Sequence, residues 1–221
     1  SGFASILLGI LLGFSGVALG GEASMTGSGF EDGEGPKWVG GYYVGYERTL
    51  QPVAALQFDA ITHLMVGAVV PQADASLDSS FFIDAVNGPI WAQDAVDAAH
   101  AAGRKAILMV GGAGAIDGWR GAATPANRAT FVANLLAAVD AYGFDGLDLD
   151  WEPIEAIDRA PLLALVQALR AARSRLFLSM PVGVVNANFS DPADEAAFYT
   201  AIAPLLDQVN LMSYQMGFDY E

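Results

Sequence analysis

The chain contains no cysteine. Disulfide bonds and metal sites built on thiolates are therefore excluded, although the absence of cysteine does not by itself decide the cellular compartment. A lipoprotein anchor, which requires a cysteine, is excluded on the same ground.

Positive charge is also scarce, because 10 Lys and Arg residues stand against 25 Asp and Glu residues and give a formal net charge of −15. Such a chain repels the phosphates of nucleic acids and of anionic membranes, so we expect neither among its partners. A neutral polysaccharide is compatible with this charge.

The two histidines, His63 and His100, are far apart and have no neighbouring ligand residues. We therefore expect no metal centre and no cofactor.

The N-terminal segment is apolar, unlike the residues after it. Residues 3–19 are apolar or small, and residues 18–20, Ala-Leu-Gly, have the pattern of a cleavage site. We interpret residues 1–20 as part of a secretory signal peptide and expect a secreted monomer with no stable membrane association after its removal. A membrane anchor is the alternative, although about 17 residues are short for a span. Residues 21–36 are rich in glycine and acidic residues and predict a flexible linker.

Strand and helix patterns alternate beyond the linker. The predicted strands cover residues 39–46, 61–70, 105–112, 143–152, 176–182 and 208–216, and the predicted helices cover 91–102, 125–142, 157–172 and 194–206. Pro125 after Thr124 predicts a helix start, and Gly103 and Gly143 predict helix ends. Nearly continuous apolar strands between amphipathic helices predict a parallel sheet that is covered on both faces.

The number of strand–helix units per length of chain favours one α/β architecture. Six strand–helix units over about 180 residues match a TIM-type (β/α)8 barrel, which typically needs about 250 residues. A doubly wound open sheet is the alternative, but no Gly-x-Gly-x-x-Gly sequence follows the first strand. We predict an incomplete TIM-type barrel of about six βα units over residues 37–221.

The most informative segment is residues 145–152, which read Asp-Gly-Leu-Asp-Leu-Asp-Trp-Glu. Asp148, Asp150 and Glu152 alternate, and in a strand they would share one face. Because isolated buried carboxylates are costly, such a cluster indicates acid–base chemistry with raised pKa values. Two alternatives remain at this point: a solvent-facing strand, and part of an EF-hand loop that lacks its glycine and closing glutamate.

The same eight residues resemble the DGxDxDxE signature of glycoside hydrolase family 18, the chitinases and related enzymes. Residues 108–112, Leu-Met-Val-Gly-Gly, are similar to the family's SxGG strand, and residues 210–215, Asn-Leu-Met-Ser-Tyr-Gln, are similar to its MxYD strand. The resemblance extends over about residues 38–217 and implies a barrel with its active site at the C-terminal ends of the strands.

The resemblance implies that β-1,4 linkages between N-acetylglucosamine units of chitin are hydrolysed with retention, the acetamido oxygen of the substrate acting as nucleophile. Glu152 would be the general acid, with its pKa raised by neighbouring Asp150. Asp150 would hold the acetamido N–H and turn between Asp148 and Glu152. Asp148 would share the charge, and Tyr214 would donate its hydroxyl to the acetamido oxygen.

The resemblance also implies a set of substrate-binding residues. They are Tyr42, Gly112, Met212 and Gln215. Tyr42 would support the inner aspartate of the signature. Met212 shares a strand face with Tyr214 and either lines the sugar pocket or fills the core.

Three aromatic residues near the predicted strand ends have different expected roles. Trp119 and Phe218 could stack on sugar rings, whereas Trp151 points away from the carboxylates and is expected to pack under the helices.

Two positions depart from the family pattern. Met109 replaces the serine of SxGG, which removes a hydroxyl that would bond to the inner aspartate. Gln215 replaces the aspartate of MxYD, which should shift the acidic end of the pH–rate profile more than it abolishes activity.

Two alternative functions accompany the chitinase interpretation. One is an endo-β-N-acetylglucosaminidase that acts on glycoproteins, and the other is a chitin-binding lectin of the same fold without catalysis.

Overall fold

The computed structural model describes residues 11–12, 38–183 and 192–212. Most of the predicted signal segment and the whole predicted linker lie outside these residues.

A sheet of mainly parallel strands forms the centre of the molecule. Its strands are β1 (Leu11–Leu12), β2 (Val39–Val44), β3 (His63–Pro71), β4 (Leu77–Asp78), β5 (Lys105–Gly111), β6 (Gly146–Asp150), β7 (Phe177–Val182) and β8 (Gln208–Leu211). Their order is β1-β2-β3-β5-β6-β7-β8, and β4 pairs with β3. Strands β2, β3 and β5 to β8 run parallel, whereas β1 and β4 pair antiparallel.

Helices connect the parallel strands. They are α1 (Asn87–Ala101), α2 (Ile116–Ala122), α3 (Arg128–Tyr142), α4 (Ala156–Ala172) and α5 (Pro192–Ile202). Four short 3-10 turns occupy Gly45–Glu47, Val53–Ala55, Phe58–Ala60 and Ala203–Leu205. Within the described residues, six parallel strands in chain order, joined by α-helices after β3 and by 3-10 turns between β2 and β3, confirm the predicted incomplete TIM-type barrel.

The two faces of the sheet have different neighbours. Side chains such as Val66, Leu108 and Leu147 belong to the same buried cluster as Leu135 of α3 and Leu165 of α4. These residues form the layer between the sheet and the helices. The opposite face lines the interior of the barrel and carries the polar residues of the site.

The start of α3 differs from the prediction. The helix begins at Arg128 rather than at Pro125, because residues 124–127 form a turn in which the carbonyl of Thr124 accepts the N–H groups of Asn127 (3.1 Å) and Arg128 (2.8 Å). The Asn127 amide also donates to the carbonyl of Ala73 (3.0 Å). The turn is therefore held against the β3–β4 connection, and the prolyl residue lies in the turn.

The short helix α2 was not predicted, because Gly118 and Gly121 lower the helix propensity of its seven residues. Both glycines permit close packing instead. A Cβ on Gly118 would lie 1.8 Å from the carbonyl oxygen of Pro71. Glycine at this position therefore lets α2 lie against the end of β3.

The predicted end of α3 is confirmed. Gly143 follows the helix in the left-handed conformation, with φ of 75°, and its N–H donates to the carbonyl of Val139.

Among the described helices, none combines the length and the apolar character needed to cross a membrane.

Candidate active site

The acidic segment lies in β6 and just beyond it. Asp148 and Asp150 are 0% and 5% exposed, and Leu147 and Leu149 on the other face are also buried. A solvent-facing strand is therefore the wrong interpretation. The EF-hand alternative is also wrong, because the backbone pairs as a strand with β5 over residues 146–150 and with β7 over residues 146–148.

Strand β6 is shorter than predicted and ends at Asp150, so that Glu152 lies two residues past the ladder and is partly exposed. Its neighbour β5 pairs with β6 only as far as Gly111. Gly111 and Gly112 then adopt φ of 94° and 103° and turn the chain away. Glu152 is consequently at the open, C-terminal edge of the sheet, beside the buried aspartates.

Asp148 is held by two hydroxyl groups. Tyr42 Oη donates to Asp148 Oδ2 (2.9 Å), and Ser179 Oγ donates to Asp148 Oδ1. Burial raises the pKa of Asp148 to about 6, while the hydrogen bonds from Ser179 and Tyr42 oppose this rise. The resemblance led us to expect that Met109 would deprive Asp148 of a hydroxyl. Ser179 on the following strand supplies one.

The hydrogen bonds continue from Tyr42 to the last described strand. Asn210 Nδ2 donates to Tyr42 Oη (3.1 Å), and Gln208 Nε2 donates to Asn210 Oδ1 (3.2 Å). Burial, together with the charge of Asp148, raises the pKa of Tyr42 well above its ordinary value. Tyr42 therefore stays protonated and donates to the aspartate.

Asp150 has a fixed backbone and an incompletely bonded side chain. Its carbonyl oxygen accepts the N–H of Gly112 (2.8 Å) and the indole N–H of Trp119 (3.2 Å). Burial raises the pKa of Asp150 well above its ordinary value, and the hydrogen bond and charge of Glu152 and the charge of Asp148 raise it further. Its buried Oδ1 has no hydrogen-bond partner among the residues that the structure describes. Such an atom is available to a substrate group.

Met109 and Gly112 border this carboxylate. A Cβ on Gly112 would lie 3.9 Å from Asp150 Oδ2 and 3.5 Å from Met109 Cε. The thioether of Met109 also covers Gly67, where a Cβ would lie 2.5 Å from Sδ. The wall of the site beside Asp150 is therefore apolar, and its shape depends on two glycines.

Of the remaining predicted site residues, Met212 follows β8, is partly exposed and donates its N–H to the carbonyl of Val182 (2.8 Å). Tyr214, Gln215 and Phe218 lie outside the described residues.

Trp119 does not face the site, so its proposed stacking on a sugar is wrong. It is fully buried and stacks on Trp151 with ring centroids 5.0 Å apart and an interplanar angle of 13°. Trp151 is buried, as predicted. Two aromatic rings pack here because α2 lies close to the sheet.

Several site residues were missed from the sequence. Ser179 is the only hydroxyl residue in residues 176–182, and Gln208 and Asn210 alternate in a short strand. These signals mark polar positions on a strand face but not their partners.

An exposed aromatic pair was also missed. Tyr46 and Phe82 are 60% and 41% exposed, and their ring centroids are 5.8 Å apart. Tyr46 follows the C-terminal end of β2, at the edge of the sheet where Asp150 ends β6. The prediction placed Tyr46 inside a strand, and Phe82 lies in a segment without periodicity, so no local pattern indicated their contact.

Within the described part of the chain, no group of three or more His, Asp or Glu side chains is arranged to hold a metal ion. The site thus consists of carboxylates, hydroxyls, amides and an apolar wall.

A known family accounts for this arrangement. The model of glycosyl hydrolases family 18 matches residues 39–219. The chain belongs to this family. The match includes the acidic segment, the hydroxyl and amide residues around Asp148, and the segment that contains Tyr214.

Curated relatives include a chitinase-like effector from Moniliophthora perniciosa, which is 30% identical over 213 residues, 89% of this chain and 47% of that protein. Chitotriosidase-1 from Mus musculus is 36% identical over 110 residues, 42% of this chain and 22% of that protein. The chain thus spans about half the length, or less, of these relatives.

Solved structures share the fold. A family 18 chitinase from Cycas revoluta in complex with (GlcNAc)3 gives a TM-score of 0.66 at 25% identity, covering 79% of this chain and 54% of that one. A chitinase from Bacteroides thetaiotaomicron gives a TM-score of 0.66 at 20% identity, covering 80% and 54%.

Proposed function

We propose that the protein is a chitinase that cleaves β-1,4 linkages between N-acetylglucosamine units. The observation that carries this proposal is the buried Asp148–Asp150 pair beside Glu152, with Asp150 Oδ1 unpartnered among the described residues. The similar Cycas revoluta chitinase, solved in complex with (GlcNAc)3, supports the choice of sugar.

The proposed reaction uses the acetamido group of the substrate. Asp150 accepts a hydrogen bond from the acetamido N–H. This bond orients the acetamido carbonyl oxygen toward the anomeric carbon. The bond between the acetamido oxygen and the anomeric carbon forms as the glycosidic bond breaks, which gives an oxazolinium ion. Glu152 transfers its proton to the leaving oxygen in the same step. Water then attacks the oxazolinium ion and gives a proton back to Glu152, and the product retains its configuration.

Asp148 and its partners have a supporting role in this proposal. Tyr42 and Ser179 direct their hydroxyls at Asp148 and stabilise its charged form. When Asp150 turns toward the substrate, Asp148 can hold negative charge in the interior of the barrel. Tyr214, which the resemblance assigns to the acetamido oxygen, completes the proposed catalytic set.

The experiment that tests the function is hydrolysis of chitin oligosaccharides by the full-length protein and by its Glu152→Gln variant. Loss of the general acid should lower kcat by about 10²–10⁴-fold, with little change in substrate binding. Equal rates for the two proteins would contradict the role of Glu152. Release of intact N-glycans without cleavage of chitin would instead favour an endo-β-N-acetylglucosaminidase.

One observation favours a second candidate, carbohydrate binding without hydrolysis. The relative that matches 89% of this chain is named a chitinase-like effector rather than a chitinase. A protein of this kind would bind chitin oligosaccharides with the same affinity before and after Glu152→Gln and would release no product in either form.

Secretion as a monomer is part of the proposal and rests on the apolar residues 3–19. Expression with and without residues 1–20, followed by detection in the medium and by size measurement, tests it. Retention of both forms inside the cell would contradict secretion.

A further inference from the structure

Helix α2 contacts the chain immediately before Glu152. The indole N–H of Trp119 donates to the carbonyl of Asp150 (3.2 Å), and the Trp119 ring stacks on Trp151. The two residues that precede Glu152 are thus fixed by one side chain of α2.

The next residue of α2 contacts the chain after Glu152. Arg120 Nε donates to Asp158 Oδ1 (2.7 Å), and Arg120 Nη2 donates to Asp158 Oδ2 (3.0 Å) and to Glu155 Oε2 (2.6 Å). The hydrogen bonds that Arg120 donates to Asp158 and Glu155 raise the pKa of Arg120, which keeps its positive charge. The planar guanidinium donates from two nitrogens to two carboxylates at once, and the single ammonium group of a lysine could not reproduce this geometry.

The two acids belong to the first turn of α4. Glu155 is the N-cap, its N–H donates to Asp158 Oδ2 (3.0 Å), and the two side chains form a reciprocal capping box. Asp158 is completely buried, whereas Glu155 is exposed. Arg120 therefore joins α2 to the point where the chain after Glu152 becomes helical.

These contacts flank a short segment, in which the partly buried Ile154 packs against the hydrophobic core. Residues 152–154 lie between an anchor at residues 150–151 and an anchor at Glu155, and adjacent residues of α2 make both anchors. A change in either anchor would move the Glu152 carboxyl relative to Asp150, and misplacement by about 1 Å can cost about 10²-fold in rate.

We propose that Arg120 is a positioning residue that holds Glu152 within reach of the glycosidic oxygen. The inference rests on the proposed function, because it assigns Glu152 the role of general acid. Arg120 acts through Glu155 and Asp158 and is not assigned to the substrate or to the reacting atoms.

The test uses two substrates of the full-length protein that differ in their leaving group. A chitin oligosaccharide needs a proton on the departing sugar oxygen, whereas an aryl chitobioside with an acidic phenol departs with little help. For Arg120→Gln, kcat/KM, which reports the step that breaks the glycosidic bond, should fall by about 10- to 100-fold on the oligosaccharide and by about 3-fold or less on the aryl substrate. Equal losses on both substrates would overturn the positioning role, since a loss of folded protein lowers both alike.

Arg173 offers a matched control. It also makes two hydrogen bonds to one aspartate, from Nη1 to Asp140 Oδ1 (2.8 Å) and from Nη2 to Asp140 Oδ2 (2.7 Å), at the other end of α4. Arg173→Gln should leave kcat/KM on both substrates unchanged. A leaving-group dependence in Arg173→Gln equal to that in Arg120→Gln would overturn the assignment.

A second variant guards against misfolding, because Arg120→Gln leaves the buried Asp158 without its positively charged partner. Arg120→Lys keeps the charge but cannot donate to both acids in the same geometry, and its kcat/KM on the oligosaccharide should lie between those of the wild type and Arg120→Gln. A value below that of Arg120→Gln would contradict the proposal.

Amide hydrogen exchange gives a readout that does not need turnover. Exchange at the amides of Glu155 and Asp158, which are hydrogen-bonded within the first turn of α4, should be faster in Arg120→Gln than in Arg173→Gln. Unchanged exchange at these amides would overturn the positioning role. If the wild type cleaves neither substrate, the proposed function fails, while the exchange rates still decide whether Arg120 holds this segment.

Discussion

The carboxyl group of Asp148 is subject to two opposing effects. Its buried environment disfavours the charged form, whereas its hydrogen-bond donors favour that form. It is completely buried, and burial raises its pKa to about 6, while two hydroxyl donors counter part of that rise. The folded protein therefore binds a proton at Asp148 more tightly than the unfolded chain does. Between about pH 4 and pH 6, this group makes the folded state less stable as the pH rises.

Removal of the Ser179 hydroxyl should enlarge this effect. In Ser179→Ala, the pKa of Asp148 should rise further, because one hydrogen bond to the charged form is lost. The free energy of unfolding should fall by about 1.5–3 kcal/mol at pH 7, and by about 0.5–1.5 kcal/mol at pH 4, where the carboxyl is largely neutral. Urea unfolding of the full-length protein at both pH values measures the difference.

The control for this prediction is Ser174→Ala, at an exposed serine in the turn after α4. It should change the free energy of unfolding by less than about 0.5 kcal/mol at either pH. An equal loss for Ser179→Ala at pH 4 and pH 7 would argue that its hydroxyl does not act on the charge of Asp148.

At the scale of the element, helix α2 shows how close packing can override helix propensity. Its two glycines weaken it as an isolated helix, yet Gly118 allows approach to the carbonyl of Pro71. This approach brings Trp119 onto Trp151 and Arg120 onto the first turn of α4.

Gly118→Ala should consequently destabilise the protein. Alanine favours a helix over glycine by about 1 kcal/mol, but its Cβ would lie 1.8 Å from a backbone oxygen. We expect a net loss of about 1–3 kcal/mol in the free energy of unfolding. Gly183→Ala is the control, because a Cβ there has no neighbour within 4 Å among the residues that the structure describes. An increase in stability for Gly118→Ala would show that α2 can move away from Pro71 without cost.

The elements also show how far local patterns can predict the fold. Apolar runs such as residues 61–70 and 105–112 predicted β3 and β5, because buried parallel strands are apolar on both faces. The alternation of Asp148 and Asp150 predicted their common side of β6. Helix α2 could not be predicted in this way, since its position depends on Pro71, which lies 47 residues before Gly118 in the sequence.

At the scale of the whole molecule, the C-terminal ends of the strands bring distant segments to one edge of the sheet. Tyr46 after β2 and Asp150 at the end of β6 lie on this edge, and the exposed Phe82 contacts Tyr46. A long sugar chain that reaches Glu152 could therefore also contact this aromatic pair.

Tyr46→Ala should raise KM for a chitin hexamer by about 2- to 10-fold, the loss of about 0.5–1.5 kcal/mol of aromatic contact. KM for a dimeric aryl substrate should change less, because β3 and β5 lie between β2 and β6 and a shorter substrate covers less of this edge. Leu50→Ala, at a residue that is 74% exposed in the same segment, is the control and should leave both KM values unchanged. A hexamer KM unaffected by Tyr46→Ala would show that the substrate does not extend over this pair.

The interior hydrogen bonds could not be predicted from the sequence either, because their partners are far apart along the chain. Asn210 and Tyr42 are separated by 168 positions, and neither lies in a local pattern that indicates the other. Only closure of the sheet toward a barrel brings β8 near β2.

The bond between Asn210 and Tyr42 also has a consequence for the order of events during synthesis. A ribosome makes Tyr42 before Asn210, with the strands β3 to β7 between them, so Tyr42 emerges long before its amide donor exists. The acidic segment of β6 is likewise complete before β8 has been made. The hydrogen-bonded interior around Asp148 can therefore take its final form only after β8 has emerged from the ribosome.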